Sequence, residues 1–209
     1  MAIKCMTVEG YPRYYHLMAS EHAQSVKALQ LALESRDLYT GQHSTKVAEI
    51  SRAIGTRLGL SPERQNALYL VGLVHDIGKI RIPTEILTRP GTLNEPEWML
   101  IKSHPQVGHD ILRPLETSWP LAEIVLQHHE RLDGNGYPRG LRGNDILLEA
   151  RILSVADMVD SMARHRPYRP ALSRDACIGE IAADKGVRYD AAAVDACVSL
   201  LKEGWAFGI

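Results

Sequence analysis

Two aspartates and a set of histidines fall where a folded chain can least tolerate them. His75-Asp76 follows directly on Leu70–Val74, the end of the longest apolar stretch, Ala67 to Val74. His128-His129 closes the run that begins Ile124-Val125-Leu126, and Asp157 sits inside the otherwise apolar segment Ile152 to Val159. Burying a charged carboxylate is strongly unfavourable unless it is paired or bound to a metal. A chain that folds these segments inward must therefore supply compensating positive charge at the same place. Nine histidines are present, and five of them belong to such spaced positions: His43, His75, His104, His128 and His129.

The 209 residues suit one large domain, or one domain with a short appendage. A globular chain of this size buries roughly 70% of its unfolded surface, so its core needs no staples. With a single Phe, the interior has to be filled by Leu, Ile, Val, Ala and Met. The net charge of -1 argues against a protein that coats a nucleic-acid polymer or a membrane surface, since both need a basic excess. Cys5, Cys177 and Cys197 are odd in number and form no CxxC, which reads as reduced thiols in a cytoplasmic protein. Residues 1–10 carry no apolar signal segment, and no apolar stretch is long enough to span a bilayer.

Along the chain, residues 1–15 read as a linker, with Gly10-Tyr11-Pro12 and no periodicity. Residues 17–35 read as a helix with Leu17, Val26, Leu29 and Leu33 on one face, either packed on its own domain or forming a signalling or dimer seam. Val47, Ile50, Ile54 and Leu58 recur at helical spacing and Gly59 stands where a C-cap would. Ser61-Pro62-Glu63 reads as an N-cap, a first-turn proline and an acidic first turn, opening a helix that runs to Asp76. Asn94 with Glu97 has the pattern of a capping box. Residues 105–113, 119–129 and 148–163 read as further helices, 133–145 as a Gly-rich loop, and Ser173 and Asp190 as caps of two final helices. No alternating strand pattern is present. The expected fold is all-α, a bundle of eight or nine helices, divided into an N-terminal linker and helix (1–36) and a main domain (37–209). Trp98, Trp119 and Trp205 are dispersed and read as packing residues.

The candidate ligands in order are His43, His75, Asp76, His104, His128, His129 and Asp157, each on or at the end of an expected helix. Helices that turn imidazoles and carboxylates inward are a known way to build a two-metal site. This donor set suits Fe or Mn, with Zn, Co or Ni as alternatives, and the lack of nearby thiolates argues against a structural zinc. Seven ligands are too many for one ion and suit two ions that share a carboxylate. Two such ions stabilise both oxygens of an in-line displacement at phosphorus. Five neutral imidazoles, two carboxylates and two divalent cations leave a net positive site, which favours an anionic substrate. Lys79, one turn past His75-Asp76, is the best candidate for a further cation, followed by Arg166 and Arg169.

Leu73-Val74-His75-Asp76-Ile77-Gly78-Lys79 resembles the core motif of the HD superfamily of metal-dependent phosphohydrolases. The string His128-His129-Glu130-Arg131-Leu132-Asp133-Gly134-Asn135-Gly136-Tyr137-Pro138 resembles the extended signature of its HD-GYP subgroup. Supporting matches are Asp37 to Thr40, Ile101 to Pro105, Ala150 to Asp157 and Arg166 to Arg169, so that the resemblance covers residues 37–200. It implies an HD-superfamily helical bundle and hydrolysis of cyclic di-GMP to linear pGpG or GMP in bacterial second-messenger signalling.

The resemblance also implies that one ion takes His43, His75, Asp76 and Asp157, and the other Asp76, His104, His128 and His129, with Asp76 as the bridge. Lys79 would contact a phosphate and be held by Asp160. Arg166 and Arg169 would meet the second phosphate or a guanine, and Tyr137 would face the substrate. Gly134 and Gly136 need be no more than turn residues. Ser161 and Ala163-Arg164-His165 depart from the usual string and bear on substrate fit. Some relatives hold a third ion through an acidic residue four before the first His. That position is Tyr39 here, and Asp37 is six before, so two ions are expected and not three.

Other readings are hydrolysis of another cyclic dinucleotide such as 3′,3′-cGAMP, or a non-catalytic binding module that docks to a diguanylate cyclase. A sensor or receiver domain and a second copy of the chain are the further expected partners.

Overall fold

The computed structural model describes residues 21–35, 38–89, 91–164 and 170–205. Among them run ten α-helices: α1 (Glu21–Glu34), α2 (Leu38–Arg57), α3 (Pro62–Val74), α4 (Thr84–Leu87), α5 (Glu95–Lys102), α6 (His104–Leu112), α7 (Leu121–Gln127), α8 (Leu148–Ala163), α9 (Arg174–Ala183) and α10 (Ala191–Lys202). Nine are the expected helices, and the tenth is the single turn α4. The only β-type pairing among the described residues is an isolated bridge between Lys185 and Tyr189.

Local signals in the sequence set several helix ends. The Ser61 side chain accepts from Arg64 N–H at the start of α3, and Asn94 with Glu97 closes a reciprocal capping box on α5. After α2, Gly59 takes φ +71°, Leu60 N–H donates to Gly55 O at 3.0 Å and Gly59 N–H donates to Thr56 O at 3.0 Å. That pair of bonds is a Schellman motif, and it satisfies carbonyls that the helix end would otherwise leave open. Ser173 and Asp190 cap α9 and α10 as expected. α3 ends earlier than the periodicity suggested. It stops at Val74, and Ile77–Arg81 continues as a 3-10 turn.

The core lies where α2, α3, α7, α8 and α10 meet, with Ile50, Ile54, Leu68, Ile124, Ile152, Leu153 and Leu201 fully buried. Each such side chain contributes about 1.5–3 kcal/mol on leaving water. The interior is aliphatic, as a chain with one Phe requires. Ala23, Val26 and Leu33 of α1 belong to this same core, with Leu29 packed against it, so α1 packs on its own domain. Residues 1–20, including Leu17, lie outside the described residues. Trp119 and Trp205 pack on the core as expected, but Trp98 does not. It is 44% exposed on a helix with no buried residue.

α2 and α3 cross in close contact because position 72 has no side chain. A Cβ on Gly72 would stand 2.4 Å from Ala48 Cα and 2.7 Å from Ala48 N, both backbone atoms that cannot swing aside. Gly72→Ala should therefore lower the free energy of unfolding by about 1–3 kcal/mol, the usual cost of overpacking. Chemical denaturation of the metal-free protein checks this, and an unchanged midpoint would mean that the crossing relaxes freely.

Candidate metal centre

Five helices deliver the candidate ligands to one interior point. His43 lies in α2, His75 is the C-cap of α3 with Asp76 next, His104 is the first residue of α6, His128 is the C-cap of α7 with His129 next, and Asp157 lies in α8. His104, His128 and His129 form one group whose ligand atoms all lie within 4.8 Å of one another. His43, His75 and Asp157 form a second such group, and His75, Asp76 and His128 a third that joins the two.

The Asp76 carboxylate divides between these groups. Its Oδ2 faces His75 Nε2 at 3.4 Å and His43 Nε2 at 3.8 Å, while its Oδ1 faces His104 Nε2 at 3.3 Å. Asp157 Oδ1 lies 3.2 Å from His43 Nε2 and 4.0 Å from His75 Nε2.

The tautomers follow from the helix ends. His75 Nδ1 donates to Gly72 O at 2.8 Å, His104 Nδ1 to Ile101 O at 2.7 Å and His128 Nδ1 to Val125 O at 2.5 Å. Each acceptor is a last-turn carbonyl, one of those an α-helix cannot satisfy internally. A carbonyl only accepts, so in each ring the proton sits on Nδ1 and a neutral ring turns a bare Nε2 inward. His43 is oriented differently, with Nδ1 2.6 Å from Asp160 Oδ2 and Nε2 3.2 Å from Asp157 Oδ1. A carboxylate or carbonyl behind a ligating imidazole fixes its orientation and raises its basicity.

Charge states agree with this geometry. Burial pushes His104 down to about 4 and His128 down to about 3, and it holds His129 well below the ordinary imidazole value, so these rings are neutral. Burial pushes Asp76 up, but Lys79 and the surrounding imidazoles outweigh it and keep the carboxyl well below the usual range. Asp157 is likewise held low against burial by its hydrogen bond and charge interaction with His43. Burial also pulls His43 down, yet hydrogen bonds to Asp157 and Asp160 prevail and raise it to about 9.

These residues fit metal ions. His75 Nε2 is buried with no hydrogen-bond partner. His104 Nε2 and His128 Nε2 face each other at 3.3 Å although both rings carry their proton on the other nitrogen. Two lone pairs held that close repel unless a cation stands between them, and no side chain among the described residues is placed to provide one.

Asp160 corrects one expectation. Its Oδ2 is engaged by His43 Nδ1 and by Arg164 Nε at 2.5 Å, while Lys79 Nζ donates to Asp76 Oδ2 at 2.6 Å. The helical period does put Asp160 on the Asp157 face of α8, but α2 packs against that face and places His43, not Lys79, within reach. Tyr137 lines the site, its ring 4.8 Å from that of His129. Burial raises its phenol far above the usual value, so it stays protonated. Arg166, Arg169 and the side chain of Tyr39 lie outside the described residues.

Sequence reading missed the residues that brace the loop. Buried Glu130 accepts from Arg139 N–H at 2.7 Å and Leu141 N–H at 3.0 Å, tying the 133–145 loop to the end of α7. Gly136 is more than a turn residue, because a Cβ there would stand 2.4 Å from Glu130 Cα. Gly78 is tighter still, with a Cβ 1.9 Å from His104 O, so the 3-10 turn after Asp76 lies directly on the start of α6. A carboxylate inside the His128–Pro138 string was the one available signal for Glu130.

An all-α bundle that gathers five imidazoles and two carboxylates at one buried point defines a His/Asp metal-centre protein. Comparison with known proteins agrees. The HD domain family model matches residues 27–193. The chain is 42% identical over 163 residues to 3′3′-cGAMP-specific phosphodiesterase 1 of Vibrio cholerae, covering 78% of this chain and 38% of that protein. It is 38% identical over 175 residues to the cyclic di-GMP phosphodiesterase response regulator RpfG of Xanthomonas campestris, covering 83% and 46%. The chain thus spans less than half the length of these curated relatives. Among solved structures, the HDG"Y"P protein Bd1817 of Bdellovibrio bacteriovorus aligns with a TM-score of 0.65 at 22% identity, over 78% of this chain and 52% of that one, which shows the shared fold. The chain belongs to the HD-domain family.

Two outcomes test the centre. Asp76→Ala removes the one carboxylate among the described residues that faces both imidazole groups, so elemental analysis should find clearly fewer ions per chain than in the parent, with helicity by circular dichroism kept. Equal metal content would show that Asp76 is not shared. Metal uptake should also release about one proton near neutral pH, because His43 is the ligand held protonated and a metal must displace that proton. The release should fall away as pH rises through about 9. Calorimetry in buffers of different ionisation enthalpy reads it, and a release that does not change with pH would contradict the assignment.

Proposed function

We propose that the chain is a metal-dependent phosphodiesterase that opens cyclic di-GMP to linear pGpG or GMP, with residues 37–209 as the catalytic domain. The observation that carries this reading is the division of Asp76, one oxygen toward His75 and His43 and the other toward His104. It supports two ions, one on His43, His75, Asp76 and Asp157 and the other on Asp76, His104, His128 and His129. Iron or manganese suits this donor set best, with Zn, Co or Ni as alternatives. The ions would supply Lewis acidity toward a phosphate and lower the pKa of water at the site.

The protein's own groups do the rest. Asp160 and the three carbonyls hold the imidazoles in place. Lys79 stands with its ammonium against the Asp76 edge and its side chain about a quarter exposed, where an arriving phosphate would meet it. There it balances charge on the phosphate oxygens as the phosphorus–oxygen bond breaks. Tyr137, kept as a phenol, offers a donor rather than an anion. Arg166 and Arg169 remain the proposed contacts for the second phosphate or a guanine.

The relatives named as cyclic di-GMP phosphodiesterases support the substrate class. A second reading, hydrolysis of 3′,3′-cGAMP, draws on the 42% identity to a relative specific for that compound. A purely binding module is disfavoured, since none of the seven ligands is lost. Among the described residues no helix is long and apolar enough to cross a membrane, and a cytoplasmic setting is part of this proposal. The greater length of the relatives favours a sensor or receiver domain as a partner in signalling, and a diguanylate cyclase or a second copy of the chain are further candidates.

Protein loaded with manganese or iron is incubated with cyclic di-GMP and, in parallel, with 3′,3′-cGAMP, and the products are resolved by chromatography. Linear pGpG or GMP is expected, formed faster from cyclic di-GMP. Faster cleavage of 3′,3′-cGAMP would favour the second reading, and no product from either would refute both. In the same assay Lys79→Ala should cost about tenfold or more in turnover while metal content stays unchanged, the scale of one charged transition-state contact. Full activity would make Lys79 a structural partner of Asp76 alone.

A further inference from the structure

α5 approaches the metal centre from outside. Its last residue, Lys102, precedes the ligand His104 by two positions. Lys102 Nζ lies 5.6 Å from the centroid of the Trp98 ring and 5.6 Å from that of Tyr137. The Tyr137 ring lies 4.8 Å from His129, with 32° between the planes. A row therefore runs outward from the ligand set through His129, Tyr137, Lys102 and Trp98.

Trp98 and Lys102 are four residues apart and share one face of α5. α5 buries none of its residues, so the exposed indole is not there to seat the helix on the core. Lys102 has no carboxylate partner among the described residues, its recorded neighbours being the two ring faces. Lys79, by contrast, already has its charge set against Asp76 at 2.6 Å. A ring face attracts an ammonium but accepts few of its three donors, which leaves them open to an anionic oxygen. The free face of an exposed indole suits a nucleobase, because every base has a π-face to stack.

We infer that Trp98 and Lys102 form a substrate subsite beside the metal centre, in which Lys102 receives a phosphate oxygen and Trp98 stacks one purine base of the dinucleotide. This rests on the phosphodiesterase reading and names the groups that would give it preference for a dinucleotide over a simple diester.

The test uses Trp98→Ala, Trp98→Phe and Lys102→Met. Metal-free protein is titrated with cyclic di-GMP by calorimetry. Loaded protein is assayed on cyclic di-GMP and on bis(p-nitrophenyl) phosphate, which has neither a purine nor a second phosphate. Trp98→Ala and Lys102→Met should each weaken binding and raise KM for cyclic di-GMP about tenfold, the scale of one stacked base or one charged hydrogen bond, with kcat changed less. The loss should be clearly smaller on the simple diester, and Trp98→Phe should recover most of it. If the parent cleaves cyclic di-GMP and the variants match it in Kd and KM, the subsite is refuted and the phosphodiesterase stands. If the variants lose metal or stability together with both substrates, the two residues are structural and the subsite is equally refuted. A parent that neither binds nor cleaves the dinucleotide overturns both readings at once.

Discussion

The structure depends on a carboxylate that is buried among imidazoles. Asp76 is 1% exposed, at the junction between α3 and the 3-10 turn, and the ion-pair partners of its carboxylate among the described residues are all nitrogens. A charge removed from water in this way is stable only with opposite charge at close range. Lys79 supplies one such contact, and the imidazole nitrogens, left bare by their own tautomers, cannot supply the rest by themselves. The site is built for cations that the polypeptide does not contain.

The route by which the bundle prepares that site is economical in residues. A helix C-terminus always carries unsatisfied carbonyls. At α3, α5 and α7 a histidine three residues on takes one of them with Nδ1, and the ring then faces inward with Nε2. Helix termination, tautomer choice and ligand orientation are thus one event, repeated at three places. His43 lies within a helix and has no such carbonyl, so a carboxylate on a neighbouring helix, Asp160, takes that role and is itself steadied by Arg164. Close packing keeps the distances short. Gly72 brings α3 onto α2 and Gly78 brings the 3-10 turn onto α6, so the ligands meet without long side chains.

Outside the ligands the chain divides its charges. Lys79 is committed to Asp76, while Lys102 rests on two aromatic faces with its charge unspent. The 133–145 loop, held by Glu130, sets Tyr137 between the ligand His129 and Lys102. With the two proposed divalent ions bound, the centre would be net positive, and the uncommitted cation and exposed indole at its edge suit the proposed substrate, which carries both phosphates and bases.

Much of this protein can be read without coordinates, because burial of charge has few solutions. Apolar runs that end in His75-Asp76 and His128-His129, and Asp157 within an apolar helix, name residues that the fold brings together as candidate ligands, and helical periodicity with Ser61, Asn94, Ser173 and Asp190 names nearly all the helices. Those signals are local, lying within one or two turns of chain. The partner of Asp160, the bracing by Glu130, the steric demand at Gly72 and Gly78 and the exposed Trp98 beside Lys102 are relations between segments far apart in sequence. Periodicity tells which face of a helix a residue occupies, but only the packing of α2 against α8 decided that Asp160 meets His43, and only the position of α5 outside the core decided that Trp98 faces solvent.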